Sequence, residues 1–284
     1  MVRNFKATWD FSDVAATETR FRGILTADES SAENLCIQTQ IARTFGLRNR
    51  FEEAHDLLSK VDEALKMLDA TSLDAIEVNV RSRLERGRVY RSSKRPVDAR
   101  PHFIAATDMA LSAHFDELAI DAMHMVALVC DDPKESLEWS GKALKLALHS
   151  DDPAARNWDA SLANNIGWTY HDAGDFDNAM IHFQTALAAR ERMGDSKTIH
   201  IAKWMIARTH RSRKQHAEAL AILHVLDATN SEDGYVSEEL AENYEALDQH
   251  EKAKPFFLQA WTKLKDDSSV DAARLQRMHT LART

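Results

Sequence analysis

The sequence predicts an all-α repeat protein, and three observations carry the prediction. Eight Gly and five Pro in 284 residues are too few for an all-β fold with its many turns. Ala, Leu, Glu, Arg and Lys abound while apolar–polar alternation is scarce, so the hydrophobic period is helical. Above all, one spacing recurs. From Gly167, a small residue is followed by Tyr170 at +3, Gly174 at +7, Ala179 at +12, Phe183 at +16 and Ala186 at +19. The same template reads Gly87, Tyr90, Ala99, Phe103, Ala106, and again Ala241, Tyr244, Ala253, Phe257, Ala260. A self-similar unit of this size describes a solenoid, because one unit cannot bury its apolar face alone and must stack on the next.

The elements follow in order. Residues 1–30 are expected to cap the array at its N-terminal end. Ser12 is the expected N-cap of a helix from about Asp13 to Leu25, with Phe11, Phe21 and Leu25 docking it. Residues 31–265 hold the repeats. A first copy runs through Ile41, Ala42, Phe45, Ala54, Leu58 and Val61, and a fifth through Ile206, Ala207, His210, Ala219, Leu223 and Leu226. A third copy near His124 to Ala143 is degenerate, with Ser136 and Ser140 at apolar positions, and is placed by periodicity and the turn signal Asp131-Asp132-Pro133. The anchors Ala42, Gly87, His124, Gly167, Ala207 and Ala241 are separated by 45, 37, 43, 40 and 34 residues. Asp132-Pro133 and Asp152-Pro153 read as a capping Asp followed by Pro at the first helical position. Gly174 and Gly194 stand where helices should end. Residues 266–284 hold one more amphipathic helix, from Ser268 to Arg283, with Val270, Leu275, Met278 and Leu281 on one stripe.

Small residues at +0, +12 and +19 let two helices approach, and the aromatic and large apolar positions fill the groove between them. This template, closest in Asn164–Leu187, resembles the tetratricopeptide repeat, a helix–turn–helix unit of 34 residues. The whole pattern, from the Trp9-Asp10-Phe11 start onward, looks like uncharacterised bacterial tetratricopeptide-repeat proteins. The resemblance implies a right-handed α-solenoid of about six helix pairs with a capping helix at each end. It also implies that the first helix of each pair lines a concave face, through positions −6, −3, +1 and +4 from the anchor.

Those positions are Cys36, Thr39, Arg43 and Gly46 in the first copy, and Arg81, Leu84, Arg88 and Arg91 in the second. They are Ser161, Asn164, Trp168 and His171 in the fourth, with Asn165 beside them. The fifth copy gives Ile201, Trp204, Arg208 and Arg211, and the sixth Tyr235, Glu238, Glu242 and Glu245. The face is therefore expected to be basic, aromatic and amide-bearing, turning acidic near the C-terminal end. Residues 81–100 carry a local charge of +6 and residues 231–253 one of −7. Arginine forks bind carboxylates bidentately, and tryptophans anchor interfaces. The expected ligand set is Arg43, Arg81, Arg88, Arg91, Asn164, Asn165, Trp168, His171, Trp204, Arg208 and Arg211. The expected partner is an acidic peptide, a protein C-terminus or a similar anion.

A net charge of −9 argues against a general nucleic-acid binder. No run approaches 18 apolar residues, so no membrane span or membrane partner is expected. No apolar run follows MVRNFK, so no signal peptide is expected. Cys36 and Cys130 read as free thiols of a reducing cytoplasm. The thirteen His are scattered without a metal-ligand spacing, and neither a nucleophile motif nor a phosphate loop occurs. No cofactor and no catalysis are expected. Two other classes compete with a binding scaffold. One is a ligand- or peptide-sensing solenoid that acts on a separate effector. The other is a head-to-tail homo-oligomer joining the basic second repeat to the acidic sixth.

Overall fold

At Gly87 and Gly167 the ring sixteen residues on takes the space that a side chain at the template's +0 position would fill. In a computed structural model, described over residues 2–283 except 29 and 268, every extended element is a helix and no strand occurs among the described residues. The chain is an all-α repeat fold whose contacts divide it into two compact units, Met1–Trp158 and Asp159–Thr284.

In the first unit a short 3-10 turn, Lys6–Thr8, precedes helix α1 (Val14–Gly23). Three hairpins follow: α2 (Ala32–Leu47) with α3 (Phe51–Leu65), α4 (Leu73–Ser92) with α5 (Pro96–Ser112), and α6 (Asp116–Ala127) with α7 (Pro133–His149). A single turn of helix, α8 (Pro153–Arg156), packs on α6 and α7. The first helices are neighbours, α2 beside α4 and α4 beside α6. The expected N-cap of α1 shifts by one residue. Asp13 accepts from the Ala16 N–H at 2.9 Å, while the Ser12 hydroxyl donates to Asp10. A carboxylate at Asp13 reaches the third amide of the helix, which leaves Ser12 to the turn before it.

The second unit repeats the plan: α9 (Asp159–Asp172) with α10 (Phe176–Met193), α11 (Ser196–Ser212) with α12 (His216–Thr229), and α13 (Gly234–Ala246) with α14 (His250–Leu264). Helix α15 (Ala272–Leu281) packs on α14. Of the expected C-terminal stripe, Met278 and Val270 are buried and Leu275 and Leu281 half-buried. Ser268, where that helix was expected to begin, lies outside the described residues, and Asp271 caps α15 by accepting from the Arg274 N–H.

The template positions are the core. Ala42, Gly87, Gly167, Ala207 and Ala241 are buried, and so are their +16 partners Leu58, Phe103, Phe183, Leu223 and Phe257. A Cβ on Gly87 would come within 2.4 Å of the Phe103 ring, and one on Gly167 within 2.6 Å of Phe183. His124, the misfit anchor, faces a reduced +16 residue in the sequence, Ser140, and stacks obliquely on Trp158 at 5.7 Å. Asp132 and Asp152 cap α7 and α8, each with Pro at the first turn.

In every copy but the third, the +7 position is a left-handed turn residue. Its φ is 61° at Asn49, 62° at Lys94, 78° at Gly174, 60° at Lys214 and 58° at Asp248. Behind each turn, the N–H of the next residue returns to a carbonyl five positions back, as from Gln215 to His210 at 2.9 Å. Only Gly174 takes this conformation without steric cost. Replacing the exposed Lys214 with Gly should therefore stabilise the chain by about 0.5–1 kcal/mol, read as a higher thermal midpoint. An unchanged or lower midpoint would mean the lysine is not strained there.

Candidate functional site

In the first unit the expected ligands are brought together, but most are already engaged. On α4, Arg81 is buried and its Nε donates to Glu77 at 2.9 Å. Arg88 is enclosed between Glu85 and Asp121, with Nη2 2.6 Å from the Asp121 Oδ2. Burial pushes the Asp121 carboxyl up, but Arg88 and Arg43 outweigh it and hold it below the usual carboxylate range. Arg43 on α2 lies over the rings of Trp9 and Phe11 at 5.0 and 5.5 Å. Cys36, Thr39 and Leu84 are buried inside the helical layer rather than on its face. Arg91 is exposed and has no ion pair among the described residues. The local charge of residues 81–100 is thus largely neutralised from elsewhere in the unit. Arg86 pairs with Asp62 of α3, Arg88 with Asp121 of α6, and Arg100 with Glu135 of α7.

What occupies this face is the N-terminal segment. The Arg3 N–H donates to the Glu77 Oε1 at 2.9 Å, and the Arg3 carbonyl accepts from Arg81 Nη2. The Arg3 guanidinium spans Glu77 and Asp74, 2.7 Å from each. Phe5 lies under the Arg81 guanidinium at 4.9 Å, Lys6 pairs with Glu117 at 2.7 Å, and the Trp9 indole N–H donates to Gln40 at 3.0 Å. A cavity of about 390 Å³ remains between segment and helices, reaching Leu118, Asp121 and Trp158. Sequence reasoning placed this segment over the first repeat's end. It has no helical period that would reveal a path along three helices, and Asp74, Glu77 and Glu117 fall outside the template's face positions.

In the second unit the expected face assembles as an aromatic and cationic strip. Trp168 on α9 meets Phe183 edge-on at 5.1 Å and Trp204 of α11 obliquely at 6.2 Å. The Arg208 guanidinium lies 5.9 Å from the Trp168 ring and 5.6 Å from the Trp204 ring. The Trp204 indole N–H donates to the Tyr235 carbonyl at 3.1 Å, and Arg274 lies over the Tyr235 ring. His171 bonds Ser212 through Nε2 at 3.0 Å. Burial and the Arg208 charge hold its imidazole below its usual pKa. Asn164 accepts from Arg190 and donates to the exposed Asn165.

One carboxylate organises the charges. Glu239 of α13, 1% exposed, accepts from Arg208 at 2.7 Å and from Arg211 at 2.6 Å. Its neighbours Glu238 and Glu242, which made the sixth repeat look acidic, are taken by Arg274 and Arg277 of α15. Four guanidiniums are thus hydrogen-bonded to three carboxylates, two of them to Glu239. The Arg208 Nε is buried with no hydrogen-bond partner. Glu239 was missed because it lies one position off the template's face. Its signal is only that a sequence-adjacent acid, Glu238, was expected there.

The described residues contain no group of three or more His, Cys, Asp or Glu placed to hold a metal ion, and no helix long and apolar enough to cross a membrane. Both cysteines are free, Cys36 buried and Cys130 half-buried. Burial, reinforced by the nearby Glu77 charge, pushes the Cys36 thiol up to about 12.

Residues 160–193 match the family model for the tetratricopeptide repeat. No curated protein sequence matches the chain. Among solved structures, the fold is similar to the apo form of RapI, with TM-score 0.71 and 11% identity over 94% of this chain and 74% of that one. It is similar to BtubC (BKLC) from P. vanneervenii, with TM-score 0.61 and 13% identity over 78% of this chain and 89% of that one. It is also similar to the STAND protein with a tetratricopeptide repeat sensor from Pyrococcus horikoshii, with TM-score 0.65 and 17% identity over 95% of this chain and 44% of that one. These identities speak to the fold alone. Residues 160–193 thus carry a tetratricopeptide repeat, set in an all-α repeat fold that is shared with solved tetratricopeptide-repeat structures.

Proposed function

We propose that the chain is a non-catalytic scaffold whose second unit captures an acidic peptide or protein C-terminus on the strip around Trp168, Trp204, Arg208 and Arg211. Proteins of this repeat class generally mediate protein–protein interactions, which supports the coarse reading. The observation that carries the finer one is the two-to-one pairing at Glu239, where two guanidiniums face one buried carboxylate and one of them, Arg208, lies over both indoles. A ligand carboxylate would complete the pairing, and the indoles would shelter it from water. Asn164, Asn165 and His171 border the same strip and are suited to main-chain contacts. In the first unit Arg43, Arg81 and Arg88 serve internal partners, so only Arg91 is left to add to an anion site there.

A sensor acting on a separate effector would use the same strip. Head-to-tail self-assembly draws less support, because both charged surfaces it needs are paired within the chain. The free thiols favour a reducing, cytoplasmic setting.

The test is a panel of fluorescent peptides with acidic C-termini, titrated at two salt concentrations. Arg211→Gln removes the second guanidinium at Glu239 yet leaves Glu239 paired to Arg208, so its fold is retained. We expect wild-type binding that weakens with salt and falls at least tenfold in Arg211→Gln. If no peptide binds, or if Arg211→Gln and Trp168→Ala both bind as the wild type does, the strip is not the site.

A further inference from the structure

The face of the first unit is covered by residues 3–11 of the chain itself. From the contacts between residues 3–11 and helices α2, α4 and α6, we propose that this face is a receptor for a basic–aromatic peptide in a partner protein, kept filled in the free chain by its own N-terminal segment. Its chemistry is opposite in sign to the strip of the second unit and does not depend on that reading.

The clamp at Arg3 is the first argument. Glu77 takes the main-chain N–H of residue 3, and Arg81 gives to the main-chain carbonyl of the same residue. Glu77 and Arg81 are themselves joined at 2.9 Å and are buried, 2% and 8% exposed. A donor–acceptor pair fixed in this way reads an extended backbone whatever its side chain is. Internal folding contacts of a helical repeat rarely need such a device, since helices satisfy their own amides.

The second argument is the mismatch in burial. None of the described residues 2–11 is buried, whereas Gln40, Glu77 and Arg81 beneath them are. The segment carries only one 3-10 turn and is held mainly by side chains of the groove. Phe5 and Trp9 do touch the core, edge-on to Phe21 at 5.9 and 5.5 Å, as the anchors of a docked peptide would. The remaining cavity of about 390 Å³ shows that the segment fills the groove incompletely.

The third argument is complementarity, which fixes the ligand class. Asp74 and Glu77 receive a guanidinium, Arg81 stacks on an aromatic ring two residues on, and Glu117 receives a cation. Gln40 then accepts from an indole N–H under Arg43. The recognised pattern is therefore Arg-x-aromatic-Lys followed three residues later by Trp. An acidic peptide would meet Asp74, Glu77 and Glu117 with like charge.

The experiment uses the full chain and the labelled peptide VRNFKATWDF, followed by fluorescence anisotropy. Two variants loosen the internal segment. Arg3→Glu, at a position that is itself only half-buried, sets it against Asp74 and Glu77, and Phe5→Ala/Trp9→Ala removes its anchors. Helical content and melting are checked by circular dichroism. The proposal expects Arg3→Glu to bind the peptide at least tenfold more tightly than the wild type, whose site is filled. It expects that gain to vanish when Glu117→Gln and Asp74→Asn are added, and expects no binding by a peptide with Glu in place of both its basic residues. A folded Arg3→Glu chain that captures no peptide would overturn the proposal and make residues 3–11 a fixed part of the fold. If Phe5→Ala/Trp9→Ala unfolds, Arg3→Glu alone decides. Wild-type dimers in light scattering that excess peptide disperses would also overturn it, by making a second copy of this chain the occupant.

Discussion

Arg88→Ala should lower the stability of the first unit by about 3 kcal/mol or more, a large part of what a typical domain possesses. The cost comes from what is left behind. Glu85 has a side chain only 3% exposed and Asp121 one 15% exposed, and both would lose the cation between them. One oxygen of Glu85 already lacks a hydrogen-bond partner. With Arg88 gone, Asp121 keeps the burial that pushes its carboxyl up and retains Arg43 and the lesser pull of His124 against it. Its folded-state pKa would then rise, so the deficit should be greatest at neutral pH and shrink as pH falls through that raised value. Urea titration at two pH values measures this, and a double-mutant cycle with Asp121→Ala isolates the pair. A loss below about 1 kcal/mol, typical of exposed pairs, would show the network to be a surface feature.

The second large effect is steric. Gly167→Ala puts a methyl group 2.6 Å from the ring of the fully buried Phe183. Overpacking of this kind costs about 1–3 kcal/mol, against which Ala returns about 1 kcal/mol of helix propensity. A net loss is therefore expected, and Phe183→Leu in the same chain should recover part of it. The chain itself supplies the precedent, since Ala42 and Ala207 stand opposite Leu58 and Leu223 rather than Phe. Ala241 and Phe257, both buried in one cluster, show that Ala and the larger ring can also share a repeat. If the double variant is no more stable than Gly167→Ala, the ring is not the obstacle.

The parts of this molecule that were legible in its sequence are those fixed by local spacing. Gly87, Gly167 and their ring partners are sixteen residues apart because one helical hairpin brings those positions into contact. The turn at +7 repeats because the same hairpin must close. Trp168, Trp204 and Arg208 fell on one strip for the same reason. Partner choice was less legible. Asp121 lies on a different hairpin from Arg88, and Glu135 on a different one from Arg100, so a running count of charge assigned to open surface what is in fact paired. The segment Arg3–Phe11 was the least legible, since its path is set by side-chain chemistry on three helices and not by any period of its own. Asp13 rather than Ser12 capping α1 is a smaller case of two adequate caps competing.

Repeat arrays behave as nearly one-dimensional systems, in which stability is the sum of each repeat's own free energy and its coupling to the next. In the first unit that coupling has an ionic component. Arg43 of α2, Glu85 and Arg88 of α4, and Asp121 of α6 form one thread across three consecutive hairpins. A fluctuation that opened the middle hairpin would strand charges on both of its neighbours at once. Fraying repeat by repeat is thereby penalised, and the three hairpins gain or lose their structure as a single cooperative block.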